Sequence, residues 1–489
     1  MVNLAKPVEI FDREAEWAEL VSFIADPAPM PLLGVVSGRR RQGKTLLLGS
    51  LVEATGGIYI DGTEGVPAEQ FHRFGQVIAA KLGAPAPLHF TSWRQAVDAL
   101  LDLPATEPLP CVIDEFGYLV KTSPELPSVL QAALDTRRRR GGSPVRLLLC
   151  GSALSLMGGL LSGNAPLRGR AGLELVIPPL DYRLAAKFWG SSDPKLALLT
   201  HAVVGGTPAY RREYVRDDAP TSLTDFDDWV QRAILNPARP LFREARYLLA
   251  EETDLREPAL YAAVLTAVAE GNTTRGNIAN WVGRAATEIS HPLTVLEDIG
   301  LIAKQPDQLR AARPRYTIVE PLIAFYYAIM RPAWRELERR RASQVWERNR
   351  SRFSQKIVGP HFEQICRTWA SDFAESETFG GVPSRVGSAV INDSEHRCQH
   401  EIDVVVLGED DGKTARVLCL GEAKWGETMG VSHLERLRRI RNLLTRRGYN
   451  TEDTKLACYG GAGFTSDLRA HAERGEVLLI DLERLYYGV

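Results

Sequence analysis

The chain has 489 residues, and its 59 Lys and Arg against 61 Asp and Glu give a formal net charge of −2 at pH 7. With 45% hydrophobic and 25% charged residues, the composition is globular and excludes disordered, collagen-like and coiled-coil proteins. At roughly 100–200 residues per domain, the length predicts about three or four domains. No apolar run is long enough to cross a bilayer and no secretory signal is visible, so we expect a cytoplasmic protein with no membrane segment.

The first part of the chain alternates short apolar strands with helical stretches. Buried strands between helices predict a parallel sheet of βαβ units over residues 1–180. Residues 181–250 carry apolar side chains at helical spacing and predict a helical lid. The predicted strands of the sheet are 32–37, 58–61, 111–114, 145–151 and 173–177.

The second part of the chain changes rhythm twice. Residues 251–333 predict three helices followed by two short strands, which is the winged helix-turn-helix pattern. Residues 334–356 are charged and lack a sustained apolar stripe, so we expect a solvated helix or linker there. Residues 357–489 return to mixed α/β structure.

A glycine-rich stretch joins the first predicted strand to an apolar helix. Its spacing, GxxxxGK[ST] between a strand and a helix, predicts a phosphate-binding loop rather than a chance match in a turn. The backbone amides of such a loop wrap phosphates at a helix N-terminus. Lys44 can bridge the phosphates of ATP, and Thr45 can hold Mg²⁺. The residues of the loop are Gly38, Arg39, Arg40, Arg41, Gln42, Gly43, Lys44 and Thr45.

Two acids end the apolar strand at 111–114. We expect Asp114 to hold the Mg²⁺ and Glu115 to polarise the attacking water, although such a pair can also cap the next helix. Ser152 follows the neighbouring strand and can sense the terminal phosphate, or it can be an ordinary helix cap. Arg168 or Arg170 can stabilise the transferred phosphoryl group, from the same or a neighbouring subunit, or can be surface residues.

The motifs of the first 210 residues resemble the archaeal-type P-loop ATPases, a family related to the STAND and AAA+ classes. The stretches Phe11–Glu16, Pro166–Arg170 and Val204–Tyr210 match its F-x-R-E-x-E, P-L-x-G-R and G-G-x-P-x-Y elements. The resemblance implies that Arg13 lies against the nucleotide base and that Pro208 closes over the adenine. It also implies a C-terminal domain of nuclease-like fold. Arg168 stands where many relatives have an aromatic residue, so Arg170 is the better arginine candidate.

The winged helix-turn-helix pattern makes DNA a candidate partner. For DNA, polar and basic side chains of the third helix should face a groove. The wing adds further arginines, but the whole set is a modest basic footprint, and such domains also serve as lids or protein docks. The candidate contacts are Arg284, Thr287, Ser290, His291, Thr294, Arg310, Arg313 and Arg315.

A second acidic constellation lies near the C-terminus. Glu422 and Lys424 share one face of a predicted strand, and Asp403 on the preceding strand can face the same point. Two carboxylates can hold Mg²⁺ while the lysine orients water, as phosphodiester cleavage requires. The set resembles the PD-(D/E)xK nuclease core, and Glu363 matches its helical acid. The following helix is basic, with Arg438, Arg439 and Arg441 fit for phosphates. The alternative is a fold that only binds DNA or dimerises.

Three potential zinc ligands alternate just before the strand that carries Asp403. His396, Cys398 and His400 would share a strand face, and Asp403 is the nearest candidate for a fourth ligand. Because no second Cys or His cluster lies nearby, the sequence does not favour a zinc site.

The fold class predicted is therefore α/β: a P-loop parallel sheet, a helical lid, a winged helix and a nuclease-like α/β domain. The predicted function is an ATP- and Mg²⁺-dependent enzyme that acts on DNA, with cleavage by the C-terminal domain left open. One alternative is a STAND-like switch that forms a nucleotide-dependent homo-oligomer and whose last domain only binds DNA or a protein. Another is a signalling ATPase that does not use nucleic acid.

Overall fold

The computed structural model describes residues 4–250, 257–309, 314–393, 396–410 and 415–488. The chain forms two compact units, Met1–Pro179 with Thr207–Ala209, and Leu180–Gly206 with Tyr210–Val489. Within the described ranges, none of the helices combines the length and apolar character that a membrane crossing needs.

The first unit is built on a five-stranded parallel sheet. The neighbouring strands run in the order β2-β3-β4-β1-β5. All four pairs are parallel. β1, β3 and β4 are almost wholly buried because helices cover both faces, so their sequences read as continuous apolar runs. The strands are β1 Leu32–Ser37, β2 Ile58–Asp61, β3 Leu109–Asp114, β4 Val145–Gly151 and β5 Ala171–Val176.

The predicted parallel sheet is thus confirmed, with small shifts at the ends of β3 and β5. β4 lies between β1 and β3, so the carboxyl ends of the phosphate-loop strand and the acid strand flank that of β4. The helices of this unit are α1 Glu14–Ile24, α2 Lys44–Thr55, α3 Pro67–Leu82, α4 Trp93–Leu101, α5 Phe116–Thr122, α6 Leu126–Arg140 and α7 Leu154–Gly159.

The second unit begins with helices, as the sequence predicts for residues 181–250. Asp181 and Asp193 cap the first two helices, each accepting hydrogen bonds from two backbone amides. Two short π-helical turns interrupt the series. The elements are α8 Tyr182–Trp189, α9 Pro194–Val204, the π-turn Tyr210–Tyr214, α10 Leu223–Trp229, the π-turn Val230–Ile234 and α11 Leu241–Ala250.

Three helices and a two-stranded hairpin follow in the order predicted for a winged helix-turn-helix. The hairpin is antiparallel, with Ile302 opposite Ile318. Identification of this element as a DNA-binding winged helix stays a prediction. The elements are α12 Pro258–Ala269, α13 Arg275–Val282, α14 Ala286–Asp298, β6 Ile302–Gln305 and β7 Arg315–Ile318.

The expectation of a solvated helix or linker at 334–356 is correct only in part: the segment is helical and most of its charged side chains are exposed, but Trp346 and Phe353 are buried. Trp346 is 1% exposed and packs with Phe226, Phe325 and Phe353, at ring-centroid distances of 6.3, 6.2 and 5.1 Å. Few apolar residues are enough here because they are large aromatics, and because Phe226 and Phe325 reach Trp346 from other helices. The elements from residue 321 to residue 358 are α15 Pro321–Phe325, the π-turn Tyr326–Met330, α16 Trp334–Glu338, α17 Ala342–Phe353 and the π-turn Ser354–Val358.

A second five-stranded sheet ends the chain. Its strands run in the order β12-β11-β10-β9-β8. β8, β9 and β10 pair antiparallel, whereas β10, β11 and β12 pair parallel. The elements are α18 Gly359–Asp372, α19 Ser376–Phe379, β8 Arg385–Asp393, β9 Cys398–Asp410, β10 Ala415–Lys424, α20 Val431–Arg446, β11 Lys455–Gly460, α21 Ser466–Glu473, β12 Leu478–Asp481 and α22 Leu482–Tyr487.

Candidate functional sites

The predicted phosphate loop lies between β1 and α2. Gly38, Arg41 and Gly43 have φ angles of 153°, 69° and 86°. At Gly38 a Cβ would lie 2.6 Å from the carbonyl oxygen of Ile177, so only glycine fits there. Lys44 Nζ donates to the carbonyl oxygens of Gly38 and Arg39 over 2.7 and 2.9 Å. The loop is therefore curled around its own lysine, and burial lowers the pKa of Lys44.

The acid pair at the end of β3 meets the start of α2. Thr45 Oγ1 donates to Asp114 Oδ2 over 2.8 Å, which brings together the two residues expected to hold Mg²⁺. Tyr59 also donates its hydroxyl hydrogen to this carboxylate. Burial alone would raise the pKa of Asp114, but hydrogen bonds from Cys150, Tyr59 and Thr45 hold the pKa below its ordinary value. The carboxylate is therefore ionised at neutral pH.

Glu115 and Ser152 lie together at the ends of neighbouring strands. Ser152 Oγ donates to Glu115 Oε1 over 3.0 Å. Glu115 has a φ of 47°, in the left-handed region that a glutamate rarely adopts. A backbone strained in this way is typical of functional positions.

Two side chains of the phosphate loop, and Arg13 before α1, also have hydrogen-bond partners within the first unit. Gln42 Nε2 donates to Thr207 Oγ1 over 3.2 Å, so the segment that contains Pro208 lies beside the loop. Arg40 donates to the hydroxyl of Tyr118 over 2.8 Å. Arg13 donates to the carbonyl oxygen of Pro178 over 2.6 Å and pairs with Glu16. The expected contacts of Arg13 and Pro208 with the nucleotide stay predictions.

The arginine predicted to reach the phosphoryl group has another partner. Arg170 donates through Nε and Nη2 to the two carboxylate oxygens of Asp135, over 2.9 and 2.8 Å. This pair would have to open before Arg170 could serve the nucleotide of its own or a neighbouring subunit. Arg168 donates to the carbonyl oxygen of Gly163.

Two side chains at this site, Tyr59 and Cys150, could not be predicted from the sequence. Tyr59 and Cys150 lie on β2 and β4, on either side of β3, and both bond to Asp114. Neither stands in a recognisable motif. Strand order alone brings them to the carboxylate, and strand order is not readable from local spacing.

The predicted acids of the C-terminal sheet also come together. Lys424 Nζ lies 2.8 Å from Glu422 Oε1 and 4.0 Å from Asp403 Oδ2. The backbone amide of Ala423 donates to Asp403 Oδ2 over 2.9 Å. Glu422 and Asp403 are only 2% and 7% exposed. Carboxylates so deeply buried need nearby cations, and a metal ion fits this donor set as well as the lysine does.

The helices beside this sheet supply one expected and two unexpected residues. Glu363 lies on α18, and burial together with the charge of Asp403 raises its pKa. Arg367, one turn further along, donates to the carbonyl oxygen of Asp403 over 2.9 Å. Arg436 on α20 pairs with Glu422 Oε2. Both oxygens of Glu422 therefore already face cations.

The predicted DNA-contact residues are only partly available. Arg284, Thr287, His291 and Thr294 are exposed, and Ser290 is partly buried. Arg310 and Arg313 lie outside the described residues. Arg315 pairs with Glu401 on β9, and Gln308 donates its backbone hydrogen to Ser388 on β8 over 3.0 Å. The hairpin thus packs along the edge strand of the C-terminal sheet. Arg315 was expected to be available to DNA, but it is paired with Glu401.

The predicted phosphate contacts on α20 differ in exposure. Arg439 is exposed, Arg441 is partly buried, and Arg438 pairs with Glu435 and Glu476.

Asp403 was the wrong choice of fourth ligand for the His-Cys-His stretch. Side chains alternate along β9, so Asp403 points opposite to Cys398 and His400, and it serves the Glu422 site. Asp393 lies beside them instead, because it is paired with Cys398 across the β8–β9 hairpin.

The sheet order, the phosphate loop and the acid pair together define a P-loop fold, which is the fold that the resemblance implies for the first part of the chain. Residues 326–437 match the family DUF234, described as archaeal and bacterial proteins of unknown function. The chain is 27% identical over 395 residues to the uncharacterized protein MJECL04 of Methanocaldococcus jannaschii, a match that covers 80% of this chain and 82% of the relative.

Two solved structures also match part of this chain. The Walker-type ATPase PABY2304 of Pyrococcus abyssi matches with a TM-score of 0.49 and 20% identity, over 67% of this chain and 99% of its own. The ORC2 protein of Aeropyrum pernix, solved in ADPNP and ADP complexes, matches with a TM-score of 0.42 and 15% identity, over 71% and 97%.

Proposed function

We propose that the first unit binds and hydrolyses ATP. The observation that carries the proposal is the 2.8 Å hydrogen bond between Thr45 and Asp114, with Glu115 held next to them by Ser152. These groups come from α2, β3 and the end of β4, and they meet only because β4 lies between β1 and β3.

Each group has a specific part in the reaction. Lys44 leaves the carbonyl oxygens of Gly38 and Arg39 and binds the phosphates of ATP. Glu115 orients and polarises the water that attacks the terminal phosphate, and Ser152 fixes the glutamate. Mg²⁺, which suits the hydroxyl and carboxylate oxygens of Thr45 and Asp114, would neutralise charge on the phosphates.

The decisive experiment is ATP hydrolysis by the wild type and by Lys44→Ala, each with and without DNA. Lys44→Ala should abolish hydrolysis, whereas Lys121→Ala, on the exposed side of α5, should leave it unchanged. Stimulation by DNA would connect the two units functionally. The proposal fails if calorimetry on folded protein registers no binding of adenine or guanine nucleotides.

We further propose that the second unit acts on DNA through Asp403, Glu422 and Lys424. The convergence of Lys424 on both carboxylates supports a metal-dependent phosphodiesterase site, which the two acids would form with Mg²⁺. In that reaction Lys424 orients the attacking water. The exposed Arg439 on α20 is suited to bind DNA phosphates.

Cleavage is tested with wild type, Lys424→Ala and Lys455→Ala, on single- and double-stranded DNA with Mg²⁺ or Mn²⁺ and ATP. Lys455 is an exposed lysine on the neighbouring strand β11 and serves as the matched control. The cleavage proposal fails if the wild type cuts none of these DNAs. A salt-dependent affinity for DNA without cleavage would then favour the regulatory switch.

The regulatory alternative has its own measurement. In a regulatory switch the bound nucleotide controls assembly, and ATP turnover is slow. The mass of the protein in solution should therefore change when a non-hydrolysable ATP analogue is added. A constant mass together with steady turnover would exclude this alternative.

A further inference from the structure

A third cluster of reactive side chains lies at one end of the β8–β9 hairpin. Asp393 is the last residue of β8, and it is opposite Cys398, the first residue of β9. His400 follows two residues later, on the same face of β9 as Cys398. Cys398 Sγ is 3.6 Å from His400 Nε2, and this nitrogen is 3.7 Å from Asp393 Oδ2.

The spacing of these atoms fits a metal ion. One donor atom from each of Asp393, Cys398 and His400 lies within 4.8 Å of the other two. In tetrahedral zinc sites the sulfur, nitrogen and oxygen ligands, at about 2.0–2.3 Å from the metal, are roughly 3.3–3.7 Å apart. His396 Nδ1 lies 2.8 Å from Asp393 Oδ2, so a second imidazole is next to the cluster.

The same geometry disfavours a catalytic relay. In a Cys-His-Asp relay, the thiol and the carboxylate contact different nitrogens of the imidazole. Here the sulfur and the carboxylate both approach Nε2 of His400. The sulfur, the imidazole nitrogen and the carboxylate oxygen therefore cluster around one point, as metal ligands do, and do not form a chain of hydrogen bonds.

Cys398 is also accessible. All six cysteines of the chain lie in its described part, and only Cys398 is exposed. An incoming metal ion can therefore reach this sulfur from solvent.

We propose that Asp393, Cys398 and His400, with His396 as the fourth ligand, form a zinc site. Thiolate and imidazole ligands favour Zn²⁺ over Mg²⁺. The metal here would therefore differ from the Mg²⁺ proposed at Asp114 and at Glu422. Four protein ligands make a closed, structural site. The ion ties the end of β8 to the start of β9, the strand that carries Asp403. Ligation through Nδ1 of His396 requires its hydrogen bond to Asp393 to break.

The test uses the full chain, stripped of metal by a chelator and kept in excess Mg²⁺. Zinc should bind with one ion per chain and should slow the reaction of Cys398 with a thiol reagent, which the five buried cysteines escape. Co²⁺ at the same site should give a thiolate-to-cobalt absorption band in the near ultraviolet. His400→Ala should weaken zinc binding by roughly 100-fold or more, since even residues that only support a ligand contribute about 10–100-fold.

His72→Asn is the matched control, because His72 is exposed on α3 in the other unit, and it should bind zinc like the wild type. The proposal is overturned if zinc leaves the reactivity of Cys398 in the wild type unchanged. It is also overturned if His400→Ala binds zinc as tightly as the wild type. The wild-type thiol measurement stands even if a variant fails to fold.

Discussion

Ser152 Oγ donates a hydrogen bond to Glu115 Oε1 over 3.0 Å, so the residue after β4 holds the acid that follows β3. Glu115 is also fixed by its backbone, whose φ of 47° is unusual for a glutamate. Together the hydrogen bond and the backbone conformation limit the positions that the Glu115 carboxylate can take.

Glu115→Gln should therefore retain ATP binding and lose about 10²–10⁴-fold in kcat, because the amide cannot act as a base. Ser152→Ala should lower kcat by about ten-fold with little change in KM, since it removes one hydrogen bond to a charged group. Steady-state kinetics measure both. If Ser152→Ala raised KM and left kcat unchanged, Ser152 would be a nucleotide contact instead.

Arg436 competes with any metal ion for Glu422. Because it pairs with Glu422 Oε2, Arg436→Ala should strengthen Mn²⁺ binding at the C-terminal site by about ten-fold, the usual worth of a hydrogen bond to a charged group. Calorimetry on zinc-saturated protein that also carries Asp114→Asn would report this site alone. Arg438→Ala is the control, because Arg438 pairs with Glu435 and Glu476. Weaker Mn²⁺ binding by Arg436→Ala would contradict the prediction.

The aromatic cluster around Trp346 should be needed for the stability of the second unit. Trp346→Ala removes a side chain that is 1% exposed and should cost about 3–5 kcal/mol, because it leaves a cavity. Trp281→Ala, at a tryptophan that is 46% exposed, should cost far less. Thermal unfolding followed by tryptophan fluorescence compares the two. If Trp346→Ala cost as little stability as Trp281→Ala is expected to cost, position 346 would lie on the surface, as the sequence suggested.

Two histidines should make the second unit sensitive to acid. His201 Nδ1 on α9 lies 2.8 Å from His361 Nε2 on α18, and burial lowers the pKa of both, that of His201 to about 4. An unfolded histidine has a pKa of about 6.5, so between pH 6.5 and 4 the unfolded chain binds more protons. The stability that the neutral pair provides is thus complete above pH 6.5 and is lost as the pH falls toward 4.

His201→Gln should therefore lose less stability than the wild type between pH 7 and pH 5, by on the order of 1–2 kcal/mol. Urea unfolding at the two pH values measures the difference, and His72→Asn, an exposed histidine, is the control. An unchanged pH dependence in His201→Gln would show that the pair does not titrate in this range.

The sequence by itself determined the parallel sheet, the phosphate loop and the two sets of acids. These features are local: Lys44 and Thr45 stand within one loop, and Glu422 and Lys424 share a face at a spacing of two. Alternation of side chains along β9 was equally local, and it should have excluded Asp403 as a ligand beside His400.

Only the tertiary structure decided which distant residues meet those motifs. Tyr59 and Cys150 reach Asp114 through the order of the strands, and Asp393 meets Cys398 through the register of a hairpin. Trp346 is buried because Phe226 and Phe325 from two other helices pack against it, together with Phe353 of its own helix. Strand order, register and helix packing depend on how the whole chain buries its apolar surface, and no local spacing records that outcome.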